Sequence, residues 1–337
     1  MVNKELNLEL LKGLTQAYGP SGNEKQVAKF IENYIQDQIK TIDTLETDTL
    51  GNLIVRKKGP GKKIMVAAHM DEIGLIATYL DSKGYIYFSP VGGLKPANLL
   101  AQRVMFGNGS VGVIAKERKE SGDKSPAKYF IDLGVTGEQE ARKYITEGDM
   151  AVLTGQFVET DNHVISKALD NRLGCFITLE ALKNYNSEHD LYVVFTAQEE
   201  VGTRGAKTAA YALEPDLAIV VDMTFSYDTP KEKHRTSLDK GVAIKIMDRS
   251  ILVTPKIKNW MLDVATENNI PYQTEIITAG GTDSGPIHLS QEGIPTGGLA
   301  VPVRYLHTGS EIASKSDIKA ACRLLTALLE QPLLISK

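Results

Sequence analysis

The residues best suited to chemistry in this chain are histidines and carboxylates that each follow a short apolar run. They are His69 and Asp71 after Lys63–Ala68, Glu199 and Glu200 after Leu191–Ala197, Asp222 after Leu217–Val221, His307 after Gly297–Val303, and Asp170 at the start of a helical segment. In an open α/β sheet, ligands bind outside the carboxyl ends of the strands, so we expect these side chains to converge. Five potential metal ligands, with two carboxylates to spare, then lie at one edge. Mixed imidazole and carboxylate donors suit zinc, cobalt or manganese.

Each of these residues also has an ordinary structural explanation. Glu199-Glu200 fits a solvated loop end, Asp170 fits a helix N-cap, and Asp222 fits an Asx turn. A single histidine at a strand end is more often structural than a ligand. It is the convergence of all of them on one edge that favours a site. The other histidines have no such pattern and are expected to be structural: His163, His189, His234 and His288.

Composition narrows the class of protein. The 337 residues are 42% apolar and 24% charged, with a net charge of −4, which is typical of a globular protein and gives no basic field for nucleic acid. The N-terminal MVNKELNLELLKGL lacks a signal-peptide core, and no stretch is long enough to span a membrane, so we expect a cytoplasmic location. Cys175 and Cys322 lie in apolar surroundings and are predicted to be reduced.

The order of predicted elements indicates an α/β fold around a mainly parallel central sheet, with a second, β-rich segment inserted into it. Strands and helices alternate in residues 1–72 and 166–337, which we assign to one discontinuous catalytic domain. Residues 73–165 carry short alternating runs broken by Gly, Pro, Asp and Ser, typical of a small β-barrel or sandwich. One short helix, Gln139–Ile145, is expected to interrupt this segment.

Six motifs occur in an order that resembles a known family. They are HMDEIG at His69–Gly74, LDNRLG at Leu169–Gly174, QEEVGTRGA at Gln198–Ala206, VDMT at Val221–Thr224, GGTDS at Gly280–Ser284 and RYLHTGSE at Arg304–Glu311. The chain resembles metallopeptidase family forty-two, the glutamyl-aminopeptidase and TET-type dinuclear aminopeptidases, some of which carry an endoglucanase or cellulase label. The resemblance covers essentially the whole chain. It implies helices on both faces of the sheet and an inserted, PDZ-like barrel that serves dimerisation.

The resemblance also implies a role for each residue of the site. His69 and Asp222 would hold one metal, Glu200 and His307 the other, and Asp170 would bridge the two. Zinc would be the usual metal, with cobalt or manganese as alternatives. The activity would be removal of N-terminal residues from peptides by a water that bridges the metals.

Two further residues are given supporting roles in catalysis. The resemblance leaves Glu199 free as the general base that activates the water, which adjacent side chains in an extended segment permit because they project differently. Asp71, two residues after His69, would orient the imidazole, as carboxylates commonly do for metal-bound histidines.

Substrate contacts are predicted less directly. Gly281, Thr282 and Asp283 are accounted for by a turn with an N-cap, and a role in binding substrate is an additional prediction. Lys245 and Arg249 are the basic residues that could favour an acidic N-terminal residue, although solvated strand-edge charges explain them equally well. Arg249 is retained as a candidate substrate-binding residue.

The expected partners are peptides with a free N-terminus and further copies of the chain, with neither nucleic acid nor membrane. Members of the resembled family form dimers through the inserted domain and commonly assemble into tetrahedral twelve-subunit shells. Two rival functions are a glycoside hydrolase, which would need an acidic pair but has no use for the histidines, and a non-catalytic assembly scaffold. A degenerate scaffold would be expected to lack a ligand or the base, and none is missing here.

Overall fold

The strands and helices of this protein are known for residues 5–118, 128–186, 188–232 and 236–331, which its computed structural model describes. The strands are, in chain order, β1 Thr44–Thr47, β2 Leu53–Lys57, β3 Lys63–His69, β4 Gly74–Leu80, β5 Ile86–Val91, β6 Arg103–Phe106, β7 Val111–Lys116, β8 Tyr129–Asp132, β9 Met150–Leu153, β10 Val158–Glu159, β11 His163–Ser166, β12 Asp190–Thr196, β13 Leu217–Phe225, β14 Val242–Met247, β15 Tyr272–Ile276, β16 Thr296–Arg304 and β17 Glu311–Ser314. The α-helices are α1 Leu8–Gln16, α2 Lys25–Gln38, α3 Glu138–Ala141, α4 Leu169–Asn184, α5 Arg204–Leu213, α6 Pro255–Glu267, α7 Ser284–His288 and α8 Lys315–Glu330.

One mixed sheet of eleven strands forms the larger layer, in the order β1-β2-β12-β3-β13-β16-β17-β11-β10, with β14 and β15 branching beside β16. The central strands β12, β3, β13 and β16 are parallel. Antiparallel strands extend the sheet at both edges. The predicted α/β fold with a parallel centre is confirmed, and the carboxyl ends of four neighbouring strands therefore meet at one edge.

The central strands are buried because helices cover both faces of the sheet. All seven residues of β12 are buried, as expected for a strand that contacts a hydrophobic layer on each side. Helices α1, α2, α4, α6 and α8 pack over the larger hydrophobic core on one face. Helices α5 and α7 pack over a smaller core on the other. The predicted helices on both faces are confirmed.

The second body is a closed antiparallel barrel with its own hydrophobic core. Its strands follow the order β4-β5-β8-β7-β6-β9, and Leu80, Phe106 and Ile131 are among the side chains buried inside it. A barrel-like insertion was predicted for residues 73–165, but the barrel strands end at Leu153. Strands β10 and β11 pair in the large sheet instead, because Val164 joins the main core and β11 pairs with β17. The barrel is thus shorter than the predicted insertion.

Smaller differences concern helix length and unpaired cysteines. The predicted helix Gln139–Ile145 is realised as α3, Glu138–Ala141, and continues only as hydrogen-bonded turns at Lys143 and Tyr144. Cys175 and Cys322 are free thiols, as expected. No helix in the described part of the chain is long and apolar enough to cross a membrane.

Candidate metal centre

The sheet brings the predicted chemical residues together at the carboxyl edge of its central strands. His69 is the last residue of β3, Glu199 and Glu200 follow β12, and His307 follows β16. Asp222 lies within β13, which continues to Phe225 beyond the predicted end of this strand. Asp170 sits in the first turn of α4, where its backbone is not helical.

The first of two side-chain clusters surrounds His69. Nε2 of His69 lies 3.2 Å from Oδ1 of Asp170 and 3.7 Å from Oδ1 of Asp222. The potential ligand atoms of these three residues all lie within 4.8 Å of one another. His69 is almost fully buried, with 2% of its side chain exposed. The cluster offers one imidazole nitrogen and two carboxylates to a common point.

The second cluster surrounds His307 and shares Asp170 with the first. Nε2 of His307 lies 3.2 Å from Oε1 of Glu200 and 3.4 Å from Oδ2 of Asp170. These ligand atoms also lie within 4.8 Å of one another. The two oxygens of Asp170 therefore face different histidines, which is the arrangement that a carboxylate shared between two cations requires.

Hydrogen bonds fix which nitrogen of each imidazole faces the cluster. Nδ1 of His69 donates to the carbonyl oxygen of Asp71 at 3.0 Å, and Nδ1 of His307 donates to that of Gly93 at 2.9 Å. Since a carbonyl can only accept, both Nδ1 atoms carry a proton, and in the neutral imidazole the lone pair is therefore on Nε2, which faces the carboxylates. This tautomer is the one that leaves Nε2 free to bind a metal.

The donor set fits divalent cations. Oδ1 of Asp170 is buried and has no hydrogen-bond partner among the described residues, although Nε2 of His69 lies close to it. A lone pair facing a lone pair is costly unless a proton or a metal ion lies between them. Two imidazoles and three carboxylates are also donors that zinc, cobalt and manganese accept. The residues present can hold two such ions.

The titration of the cluster points to the same need for positive charge. Burial, the largest influence, raises the pKa of Glu200 and of Asp222 above the usual range for carboxyls. Burial also acts to lower the pKa of His307, but its contacts with Asp170 and Glu200 together raise it to about 12. Carboxylates buried this closely together need a nearby positive charge to stay ionised, and here the protonated imidazole supplies it. A divalent cation would supply that charge instead.

Glu199 lies beside the clusters without belonging to either. Its Oε2 is 4.0 Å from Nε2 of His69, and burial raises its pKa well above the usual value. Asp71 holds the segment in place, because its two carboxylate oxygens accept from the backbone N–H groups of Glu199 and Glu200 at 3.0 and 3.1 Å. The Asp71 carboxylate lies 3.4 Å from Nδ1 of His69, farther than the Asp71 carbonyl that accepts this proton.

One buried carboxylate of the site was not predicted. Glu311, at the start of β17, accepts from the backbone N–H of Asp170 at 3.1 Å and from that of His307 at 2.8 Å. Burial raises its pKa to about 8. The sequence did contain a signal, since Glu311 is the last residue of the RYLHTGSE motif and directly precedes the apolar Ile312 and Ala313.

The barrel also contributes to the site, which was not predicted. The turn after β5 carries Gly93, whose carbonyl accepts from His307, and Gly92, which lies against Glu200. A Cβ at Gly93 would lie 2.9 Å from Nδ1 of His307, and one at Gly92 would lie 3.1 Å from Oε2 of Glu200. Only glycines let this turn approach so closely.

A cavity of about 390 Å³ opens onto both clusters. Gly281 and Thr282 line it, and so does Lys245. Asp283 is buried behind the lining, where its Oδ2 accepts from the hydroxyl of Thr196 at 2.5 Å. The side chain of Arg249 is exposed and lies outside the lining, so its predicted contact with substrate is not supported. The reason is local, since Arg249 sits in a turn capped by Asp248.

The remaining histidines stand apart from the site. His163 lies 3.3 Å from Asp239, and Nδ1 of His189 accepts from the backbone N–H of Lys62. His288 is 3.3 Å from the carbonyl of Ile294. His234 lies outside the described residues.

An α/β sheet that presents imidazole and carboxylate donors at its carboxyl edge, beside a free buried carboxylate, is typical of metal-dependent hydrolases. Comparison with known proteins narrows that class. The chain matches the family described as M42 glutamyl aminopeptidase over residues 51–324, and it belongs to that family. This membership supports an aminopeptidase, a hydrolase of peptides.

Known proteins match this chain over nearly its full length. The chain is 47% identical to a curated relative from Acetivibrio thermocellus, only provisionally named an aminopeptidase, covering 96% of this chain and 98% of that one. It is 32% identical to a lysyl aminopeptidase of Pyrococcus furiosus, covering 96% of each. Among solved structures, the Pyrococcus horikoshii TET1 peptidase, which can assemble into a tetrahedron or a large octahedral shell, superposes with a TM-score of 0.84 at 32% identity, covering 96% of this chain and 99% of that one.

Proposed function

We propose that this protein is a co-catalytic metalloaminopeptidase that uses two divalent cations to remove N-terminal residues from peptides. The observation that carries the proposal is the pair of clusters that share Asp170, with Glu199 beside them. His69 and Asp222 would hold one cation, His307 and Glu200 the other, and Asp170 both. Zinc is the first choice, with cobalt and manganese as alternatives.

The bound cations would polarise the scissile carbonyl and lower the pKa of a water molecule. The chain's own residues would do the rest. Glu199 would take a proton from the attacking water and deliver it to the leaving amine. Burial raises the pKa of Glu199 above the usual carboxyl value, which makes it a stronger proton acceptor. Asp71 would keep Glu199 and Glu200 apart by holding their backbone.

Recognition of a free N-terminus is part of the proposal. A free α-amine is a cation, and the carboxylates around the cavity favour a cation over an acylated, neutral amide. Gly281 and Thr282 would lie along the bound peptide, because both line this cavity. We therefore expect exopeptidase action and little cleavage within a chain.

Self-association through the barrel is proposed as well. Tyr79, Val111 and Val113 are exposed apolar side chains on its strands, a kind of surface that commonly marks contacts between subunits. The likeness to the TET1 peptidase, which can assemble into a tetrahedron or a large octahedral shell, supports a larger assembly. A dimer through the barrel, which the family resemblance implies, would be its unit. The predicted cytoplasmic location stays a prediction.

The test is hydrolysis of leucyl, lysyl and glutamyl amides beside their N-acetylated forms. Metal-stripped protein should be inactive, and zinc, cobalt or manganese should restore cleavage of the free-amine substrates alone. Glu199→Gln should lower kcat by about 10²- to 10⁴-fold, the usual contribution of a general base, while cation binding is retained. The matched control is Glu9→Gln, at an exposed glutamate of α1.

A rate of cleavage that is unchanged by chelation and by Glu199→Gln would contradict the proposal. In that case a glycoside panel should be run, since a sugar hydrolase would need an acidic pair and no cation. Folded protein that binds two cations but cleaves nothing would favour the scaffold alternative.

A further inference from the structure

Besides the candidate metal ligands, three buried charged side chains line the same cavity. They are Lys245 on β14, Asp248 just after it and Glu275 on β15, referred to below as the charged triad. Each side chain is at most 2% exposed. Charge buried to this degree needs either a structural or a binding reason.

The triad is built by neighbouring strands. Lys245 and Glu275 are partners in the parallel pairing of β14 with β15, and Nζ of Lys245 lies 2.9 Å from Oε2 of Glu275 and 3.1 Å from Oδ2 of Asp248. Gly298 on β16 leaves room for the lysine, because a Cβ there would lie 3.2 Å from Cβ and Cδ of Lys245. The position of the ammonium is therefore fixed from three strands.

The hydrogen bonding of the triad is incomplete. Oδ1 of Asp248 accepts from the backbone N–H and hydroxyl of Ser250, and Oε1 of Glu275 accepts from the hydroxyl of Thr224. The other oxygen of each carboxylate, together with Nζ of Lys245, is buried without a hydrogen bond of suitable direction among the described residues. Two acceptors with spare lone pairs thus share a single donor group.

The charge of the triad is also unbalanced. Burial acts to lower the pKa of Lys245, but Glu275 and Asp248 outweigh it and the pKa is raised, so the ammonium is retained at neutral pH. Two carboxylates and one ammonium leave one surplus negative charge. Among the lining residues that the structure describes, Lys245 is the only lysine or arginine.

We propose that the charged triad binds the side chain of the substrate's N-terminal residue and favours a cationic lysine or arginine at that position. This rests on the proposed aminopeptidase function. A substrate ammonium or guanidinium would supply the missing donors and cancel the surplus charge. Its methylene stem would lie along apolar lining side chains, such as Phe225, Ile277 and Leu306.

Other N-terminal residues fit the triad less well. A substrate carboxylate would place a third negative charge around one ammonium whose contacts already engage it. An apolar side chain would add no donor and would leave the surplus negative charge of the triad uncancelled. Lys245 was considered as a basic residue that could favour an acidic N-terminal residue, with a solvated strand-edge charge as the alternative. Its two carboxylate partners and its burial argue against both.

The experiment compares lysyl and norleucyl amides, which differ in the terminal amine, on the zinc-loaded protein, with leucyl, arginyl and glutamyl amides alongside. We expect kcat/KM for lysyl amide to exceed that for norleucyl amide by about tenfold or more, as is usual for a hydrogen bond to a charged group. Arginyl amide should rank with lysyl amide, and glutamyl amide should be the poorest substrate.

The variant is Glu275→Gln, which removes one charge while the amide oxygen still accepts from Thr224. We expect the lysyl-to-norleucyl ratio to fall towards one, with zinc content and melting temperature unchanged and Glu9→Gln as control. The dissociation constants of free lysine and free norleucine, measured by calorimetric titration, give the same ratio without turnover.

A ratio of one or less in the wild type, a glutamyl preference, or a ratio that Glu275→Gln does not change would each overturn the inference while leaving the aminopeptidase intact. If no amide is cleaved and lysine and norleucine bind equally well, both the inference and the aminopeptidase proposal would be contradicted.

Discussion

The two halves of the candidate metal centre are built in different ways. His69 ends a central strand, is 2% exposed, and donates to the carbonyl of Asp71 two residues away. His307 lies in a turn with a positive φ of 63°, its side chain is 25% exposed, and it donates to Gly93 of the barrel.

This difference shows which parts of the fold each half depends on. Two of the three ligands of the His69 half, His69 and Asp222, lie on central strands of the sheet, and Asp170 joins them from α4. The His307 half is assembled from a turn, a barrel loop and Glu311, which hold it through the backbone. We therefore expect the His307 half to bind its cation more weakly and to exchange it faster.

The largest effect is expected from removing the residue common to both halves. Asp170→Asn keeps the size of the side chain but removes the shared negative charge. Loss of a residue that only supports a metal ligand lowers metal affinity about 10- to 100-fold. Because Asp170 is itself the shared ligand, its loss should lower the affinity for each cation by more than that. Calorimetric titration with zinc measures it. Loss of one cation alone would show that Asp170 serves only one half.

A smaller effect, confined to one half, is expected from Gly93→Ala. The added Cβ would meet the ring of His307 at 2.9 Å and turn it away from Glu200 and Asp170. Affinity for the second zinc should fall by about 10- to 100-fold, the range for residues that orient a ligand, while the first zinc is unaffected.

The control for this prediction is Lys116→Ala, at an exposed residue that ends barrel strand β7. Unchanged binding of both cations in Gly93→Ala would mean that the barrel does not position His307.

The smallest effect concerns the strand that leads to His307. Arg304, its last residue, makes two hydrogen bonds to the carboxylate of Asp228, at 2.8 and 2.7 Å. Hydrogen bonds from Arg304 are the main reason that the pKa of Asp228 is lowered. A depressed carboxyl pKa stabilises the folded state above the unfolded-state pKa of about 3.9, and this contribution is lost as the pH falls below it.

Asp228→Asn should therefore lower the free energy of unfolding by about 1 kcal/mol at pH 7, the upper range for a partly exposed ion pair. The difference from the wild type should shrink as the pH falls below 4, which urea unfolding at several pH values measures. A difference that is constant with pH would assign the effect to lost packing instead of lost charge.

Site residues at the ends of strands could be predicted from the sequence. Contacts made by loops and by backbone groups could not. His69, Glu200 and His307 were expected to converge because parallel strands share a carboxyl edge, and they do. Gly93 could not be predicted, since its carbonyl reaches His307 across more than two hundred residues of chain.

Other differences have similar causes. Glu311 acts through backbone N–H groups, and although its motif was recognised, the sequence does not show which backbone groups its carboxylate contacts. The predicted insertion extends beyond the barrel because the short strands β10 and β11 resemble barrel strands in length and in residue pattern. Only their pairing in the large sheet distinguishes them.

The measurement that tests the central claim most directly is the zinc stoichiometry of metal-stripped protein. We expect two ions per chain in the wild type, the weaker one lost in His307→Ala and the tighter one weakened in His69→Ala. Binding of no ion, or of the same number in the wild type and both variants, would contradict a centre formed by these two clusters.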